Sequence, residues 1–392
     1  MQKILAPYTY WIRNNPEKLV LFLIGIFLPF RIDALLYQSY MARSYFIPSF
    51  FSGSFVNFTE ILLLLFLIFR LWKGPFRKIS LWLWGLFFLC TIITSVLALD
   101  PVLSFMFLRF PLYALLLWMS IPKESEVHVL KIGLCISGVT EVFVALYQVV
   151  FQKAIGLHLL GEPHLSDTSL YFAKYVFGSL SFIRGYGTFD HPNILGGYLV
   201  LLLGILFFTK NVFSKKMFCI VASVFSFGVL ISGSKAAILA IVILFLFKLK
   251  NKKIVWVSLI PLAILFLVTH VSSYSERIIG IFQSLSFIIF HPLGVGFGSY
   301  TSLLLTQTAP LAPWLIMPVH NSFLLVLIEG GIPVFVVSCV GIYYYFQRYL
   351  INFLAISLSI IFLGCFDHYL LTGYPVLMLV ILTLCYIFPL EN

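Results

Sequence analysis

Long apolar runs joined by short polar turns repeat along almost the whole chain. Runs long enough to form spanning helices occur at 18–36, 54–72, 80–99, 101–121, 127–152, 193–212, 216–234, 235–250, 254–272, 320–346, 350–366 and 374–390. A helix needs about 20 predominantly apolar residues to cross the hydrocarbon core of a bilayer. The pattern therefore predicts an all-α polytopic membrane protein of about twelve transmembrane helices, forming a single domain over residues 1–392.

The composition excludes a water-soluble globular domain. Hydrophobic residues make up 61% of the chain and charged residues 10%, whereas an ordinary soluble domain has roughly 25% charged residues. So few charges cannot cover a water-facing surface. The net charge of +11 comes from short clusters between the apolar runs rather than from one basic face. We therefore predict no nucleic-acid partner and interpret the clusters as topology signals.

The basic clusters predict the orientation of the chain. An N-terminus in the cytoplasm puts most of the 25 Lys and Arg on the cytoplasmic side, as the positive-inside rule requires. Both termini are then cytoplasmic, and two long connections, 153–192 and 273–319, lie on the outer face with all but one of the eight histidines. Loops of this length are usually functional. Within the second loop, residues 278–290 are expected to form a helix that lies flat on the membrane.

Basic residues on the outer face run against the topology rule and are candidates for binding an anion. Arg184, Lys235 and Arg277 are among them. Arg109 lies inside the fourth predicted helix, where an unpaired charge costs at least about 2.5 kcal/mol. Two interpretations of Arg109 stay open, a structural ion pair and a functional site.

Three polar motifs interrupt the apolar pattern on the outer face. The first runs from Arg184 through Gly-Tyr-Gly-Thr-Phe-Asp-His-Pro to Asn193, where it is either a helix cap or a phosphate site. The second is Pro-Leu-Gly-Val-Gly-Phe-Gly at 292–298, and the third is His320-Asn321 followed by Glu329-Gly-Gly. A metal site made of His158, Glu162, His164 and Asp167 has poor ligand spacing.

Together with Ser232-Gly-Ser-Lys-Ala-Ala, these motifs resemble the O-antigen ligase and polymerase family of bacterial envelope glycan assembly. The resemblance covers roughly residues 140–350, with the motifs in the family's order and spacing. The sequence departs from the family pattern at two positions. Lys235 stands where the family usually has Arg, which keeps the charge but loses the planar fork that grips a phosphate. Val334 replaces a usual glycine.

The resemblance implies a metal-independent glycosyltransferase of GT-C-like architecture in the bacterial plasma membrane. It implies no cofactor, an undecaprenyl-diphosphate-linked glycan as donor, and a glycan, lipid or protein as acceptor. His320 matches the family's catalytic histidine and is the expected general base. The carrier diphosphate is expected to bind Arg184, Lys235 and Arg277. Support is expected from four further residues: His191, Asn193, Asn321 and Glu329.

Three functions remain possible from the sequence. A ligase transfers the glycan to a finished lipid or protein anchor, whereas a polymerase transfers it to another carrier-linked repeat unit. A non-enzymatic transporter of lipid-linked glycans would also suit twelve helices. A transporter would be expected to show paired halves and ionisable residues at mid-membrane. Here the polar residues collect on the outer face instead, which favours an enzyme over a transporter. The sequence does not separate ligase from polymerase, and the ligase is the preferred interpretation.

Overall fold

A computed structural model describes residues 15–39, 53–74, 76–77, 81–165, 172–177, 179–209, 212–248, 274–305 and 317–391. These residues are mostly helical. The helices of the first half are α1 Pro16–Phe27, α2 Phe58–Lys73, α3 Trp82–Val96, α4 Pro101–Phe107, α5 Arg109–Met119 and α6 Glu124–Phe151. Those of the second half are α7 Pro192–Phe208, α8 Lys215–Ser232, α9 Lys235–Lys248, α10 Tyr274–Phe290, α11 Tyr300–Leu305, α12 Ser322–Phe366, α13 Tyr369–Thr372, α14 Tyr374–Leu382 and α15 Phe388–Glu391.

Within the part of the chain that the structure describes, four segments are long and apolar enough to cross a membrane. They are Pro101–Met119, Glu124–Phe151, Lys215–Ser232 and Ser322–Tyr345. Several other described helices are apolar but shorter, with 10–17 residues. The predicted helix at 254–272 lies outside the described residues. The predicted helix at 278–290 is present within α10.

The structure corrects the predicted first helix and adds two short β-hairpins to a mostly helical chain. The predicted run at 18–36 ends as a helix at Phe27, because Pro29 cannot continue a helix and restricts the residue before it. The chain then forms strand β1, Asp33–Gln38, paired antiparallel with β2, Gly53–Asn57. A second antiparallel hairpin, β3 Lys174–Phe177 and β4 Leu180–Ile183, lies in the first long loop.

The exposed face of α2 is strongly apolar. Four side chains at helical spacing are 42–56% exposed: Ile61, Leu64, Leu65 and Ile68. On the opposite face of α2, Leu62, Leu63, Phe66 and Leu67 are buried in the core. A soluble monomer rarely leaves such a continuous apolar stripe in water. This face is therefore suited to contact lipid.

Two arginines in the helices are paired with buried carboxylates. The Arg109 Nε atom lies 2.8 Å from the carboxylate of Glu60, which is fully buried. Arg109 also donates to the Ser54 hydroxyl at 2.7 Å. Of the two interpretations of Arg109, the structure therefore supports the structural ion pair. Arg70 of α2 forms a second buried ion pair, with Glu126 of α6.

Helix α12 is broken where the glycine loop, residues 292–298, packs against it. At Gly331 the backbone has φ 77° and ψ 174°, far from helical values. A Cβ atom on Gly331 would lie 2.3 Å from the carbonyl carbon of Leu293. Pro333 follows the break near the start of a new helical stretch, where a missing N–H costs little.

The glycine loop also satisfies the backbone groups that the break exposes. Val295 donates its N–H to the Ile328 carbonyl, and Gly296 donates to the Glu329 carbonyl, both at 3.0 Å. Non-helical backbone within a membrane protein requires such internal partners. Two motifs that lie apart in the sequence therefore form one structural unit.

We expect Gly331→Ala to destabilise the protein and Gly85→Ala to leave it as stable or more so. Alanine at a positive φ costs roughly 1–2 kcal/mol, and its Cβ would overlap the glycine loop. Gly85 lies within α3 with no neighbouring atom inside 4 Å of an added Cβ, so alanine there should gain roughly 0.5–1 kcal/mol. Thermal unfolding of the purified variants measures both changes. Equal unfolding temperatures for the two variants would contradict the packing described.

Candidate functional site

Three junctions between helices converge at one place in the structure. The first is the start of α7, the second the start of α12, and the third the turn between α12 and α13. Asp367, in the third junction, is contacted from the other two. Its Oδ2 accepts a hydrogen bond from Asn193 Nδ2 at 3.2 Å, and its Oδ1 lies 3.6 Å from His320 Nδ1. His368 Nε2 lies 3.9 Å from the same Oδ1. We call His320, Asp367 and His368 the His–Asp cluster.

Asn321 holds the two ends of α12 together. Its Oδ1 caps the helix by accepting the Leu324 N–H at 2.9 Å, and its Nδ2 donates to the Cys365 carbonyl at 3.2 Å. Because α12 is interrupted at Gly331 and Phe353, its last turn comes back beside its first. His320 precedes the first turn and Asp367 follows the last, so this closure brings the two side chains face to face.

Arg184 links the first long loop to the cluster. Its Nε donates to the Ser232 carbonyl at 2.7 Å, and its Nη2 donates to Asn193 Oδ1 at 2.8 Å. Since Asn193 in turn donates to Asp367, a continuous chain of hydrogen bonds runs from the guanidinium to the carboxylate. Among the described residues, no hydrogen bond engages Nη1 of Arg184. Burial lowers the pKa of Arg184 from its ordinary value.

His191 caps the start of α7 and lies close to the cluster. Its Nδ1 accepts the Asn193 N–H at 3.1 Å, and Pro192 follows as the first residue of the helix, where proline is favoured. Burial lowers the pKa of His191 to about 4, although the charge of Asp367 opposes this. The ring is therefore neutral near neutral pH, as a hydrogen-bond acceptor requires.

The two other predicted diphosphate-binding residues lie at separate positions. Lys235 is exposed at the start of α9, three residues after Ser232, whose carbonyl binds Arg184. Arg277 lies in the first turns of α10, near enough that its charge contributes to the lowered pKa of His368. The structure thus gathers Arg184, Asn193, His191, His320 and Asn321 with Arg277 close by.

Asp367 carries a negative charge at the centre of the cluster. Burial raises the pKa of Asp367. The facing His320, followed by His368 and His191, lowers it by a larger amount, so the pKa of Asp367 lies below its ordinary value. Burial lowers the pKa of His368 to about 4 against the opposing effect of Asp367. The Nδ1 atom of His368 lies 2.7 Å from the Thr372 hydroxyl. At neutral pH, Asp367 is therefore ionised and His368 is neutral.

Glu329 is not part of the His–Asp cluster. Its Oε1 accepts the Tyr300 N–H at 3.2 Å, beyond the end of the glycine loop. The side chain supports the loop that closes the break in α12. Its supporting role in the site is then indirect, through the fold.

The residues of the first long loop that were considered as a metal site, with poor ligand spacing, have a structural explanation instead. The carboxylate of Glu162 accepts the backbone N–H groups of three successive residues: Ile155, Gly156 and Leu157. The rings of His158 and His164 stack with centroids 3.7 Å apart. Asp167 lies outside the described residues. Glu162 therefore organises a turn, and its hydrogen bonds hold its pKa below the ordinary value despite burial.

Sequence reasoning missed Asp367 and His368 as members of the site. The two residues form the polar centre of the turn between the last long helices. A signal was present, since Asp367 is the only acidic residue between Glu329 and Glu391. An isolated acid in so apolar a region is expensive unless it has a function or a partner.

Comparison with known proteins adds no relative to this geometry. No family model, no curated protein and no solved structure matches the chain. The functional argument therefore rests on the site itself and on the motifs of the sequence.

Proposed function

We propose that the protein is a membrane glycosyltransferase of the O-antigen ligase type. It moves a glycan from an undecaprenyl-diphosphate carrier to an acceptor hydroxyl at the outer face of a bacterial plasma membrane. The observation that carries the proposal is His320 facing a buried, ionised Asp367, with Arg184 and Arg277 on the same side of the molecule. A base beside two cations is what this reaction needs.

The base side of the reaction belongs to His320. A histidine can accept the acceptor's proton near neutral pH. Asp367 faces Nδ1, so Nε2 is the atom that would take the proton as the hydroxyl oxygen attacks the anomeric carbon of the donor. A carboxylate in this position orients the ring and stabilises the imidazolium that forms, as the Asp of a Ser-His-Asp triad does. The separation of 3.6 Å is longer than a hydrogen bond, and substrate binding would shorten it.

The leaving-group side belongs to the cations. A lipid diphosphate needs its developing negative charge stabilised more than it needs a proton. Arg184 is fixed by Ser232 and Asn193, which directs its guanidinium without neutralising it, because both partners are uncharged. Arg277 and Lys235 supply further positive charge. A metal ion is then not required for transfer.

A polymerase would use the same groups with a different acceptor. The ligase and polymerase functions share the donor, the base and the leaving group. They are separated by offering purified protein a lipid acceptor or a second carrier-linked repeat unit. We favour the ligase and expect transfer to the first.

We expect His320→Ala and His320→Asn to reduce transfer by on the order of 10²-fold or more. The assay supplies a carrier-linked glycan and measures release of the free lipid diphosphate, beside thermal unfolding of each variant. Asp367→Asn should also lose transfer, since the amide cannot stabilise the imidazolium. His291→Ala is the matched control from the same loop. Normal turnover by His320→Asn, or an inactive His291→Ala, would show that His320 is not the base.

We expect Arg184→Ala and Arg277→Ala to abolish or strongly reduce transfer while the protein still inserts. Arg→Lys at either position should restore activity only in part, because a point charge cannot make the bidentate contact. Lys235→Arg should retain or increase activity for the same reason. Steady-state rates of the stably inserted variants give the comparison. Wild-type turnover by Arg277→Ala would remove that residue from the diphosphate site.

The proposed orientation is tested by labelling single cysteines in a cysteine-free background. Leu159, which is 91% exposed, lies in the first outer loop, so a cysteine there should react with an impermeant thiol reagent in intact cells. Lys123 precedes α6 on the cytoplasmic side, and a cysteine there should react only with a permeant reagent. Labelling at 123 from outside, with none at 159, would reverse the orientation.

A further inference from the structure

The His–Asp cluster presents three metal-ligand atoms to one point. One ligand atom each from His320, Asp367 and His368 lies within 4.8 Å of the other two. The distances to Asp367 Oδ1 are 3.6 Å from His320 Nδ1 and 3.9 Å from His368 Nε2. Bonds of 2.0–2.1 Å to a tetrahedral Zn²⁺ place neighbouring ligand atoms about 3.3 Å apart. The two distances to Asp367 have to shorten by only about 0.3–0.6 Å to reach that spacing.

The ring atoms of the cluster are arranged as those of metal ligands are. His368 has its Nδ1 engaged by the Thr372 hydroxyl at 2.7 Å, which directs Nε2 towards Asp367. Histidine ligands usually make such a hydrogen bond through the second ring nitrogen. Asp367 is held in the same way, because its Oδ2 accepts from Asn193 while Oδ1 faces the two rings.

His320 Nδ1 provides an independent observation. The atom is buried and has no hydrogen-bond partner among the described residues. A buried polar atom without a partner costs roughly 1–3 kcal/mol. A metal ion bound between this atom and the carboxylate of Asp367 would remove that cost and neutralise the buried negative charge.

We propose that His320, Asp367 and His368 form a binding site for a divalent transition-metal ion of the Zn²⁺ class, with the fourth position open to water. Two imidazoles and one carboxylate suit Zn²⁺ and Co²⁺ better than Mg²⁺, which prefers oxygen ligands in an octahedron. Arg277 and Arg184 lie near and oppose a dication, so binding is reversible rather than permanent. Occupancy ties up Nδ1 of His320 and the carboxylate of Asp367.

The metal-binding proposal does not depend on the proposed glycosyl transfer, and its test does not need activity. Full-length protein treated with a chelator is titrated with Co²⁺ in detergent. We expect one Co²⁺ per chain with the visible absorption of a four-coordinate site, displaced by Zn²⁺ and not by Mg²⁺. His368→Ala and His320→Ala should abolish this absorption. Thr372→Val should weaken binding by about 10- to 100-fold, because it removes only the partner of the ligand ring.

A control variant separates this site from adventitious binding. The double variant His158→Ala and His164→Ala removes the stacked histidine pair of the first long loop and should leave the Co²⁺ spectrum unchanged. The thermal unfolding temperature of each variant shows whether it is folded. Wild-type protein without a stoichiometric spectrum, or a spectrum that survives His368→Ala in a folded protein, would overturn the site.

An activity measurement then relates the site to the proposed function. If transfer occurs, it should persist in chelator and be inhibited by Zn²⁺, because the ion occupies the atoms that orient the base. An enzyme that loses transfer in chelator would contradict the inhibitory role while leaving metal binding intact. A protein that binds Co²⁺ but shows no transfer would overturn the proposed function alone.

Discussion

The two interruptions of α12, at Gly331 and at Phe353, are the constraint on which the site depends. Peptide groups that leave a helix inside a membrane protein need partners from the protein itself, and the glycine loop supplies them. Only glycine fits the positive φ and the close approach to Leu293. Because the helix is interrupted, Asn321 can reach the Cys365 carbonyl, and the residues that flank α12 meet.

The arginines in the helices and the arginine beside the His–Asp cluster have different kinds of partner. Within the helices, Arg109 is paired with Glu60 and Arg70 with Glu126, so these cations are not available to a ligand. At the site, Arg184 is held by a carbonyl and an amide, which fix its position and leave its charge. Asp367 reaches Arg184 only through Asn193. This difference separates cations that a carboxylate neutralises from a cation that keeps its charge, which is the property that the proposed diphosphate site uses.

The sequence predicted the helical character, and it singled out several residues that the structure places near one another, because both depend on local patterns. Apolar runs mark helices by their length, and Arg184, Asn193 and His320 stood out as polar residues at helix entries. Asp367 was missed because it meets His320 only after the chain has run through α12 and returned. The contact of Glu329 with Tyr300 was not foreseen for the same reason, since closeness to His320 in the sequence does not show which neighbour a side chain meets. The strand Asp33–Gln38 was read as helix because hydropathy alone does not distinguish the two.

The hydrogen bond between Asn321 and Cys365 also has a mechanical consequence. It closes residues 321–365 into a loop whose two ends lie side by side at the His–Asp cluster. Bending or tilting at Phe353, far along the loop, changes its shape without having to separate the ends. A hydrogen bond at this point therefore favours a constant distance between His320 and Asp367 while the rest of the loop changes shape. The hairpin formed by residues 321–365 can then adapt to the thickness of the bilayer while the side chains of His320 and Asp367 stay next to each other.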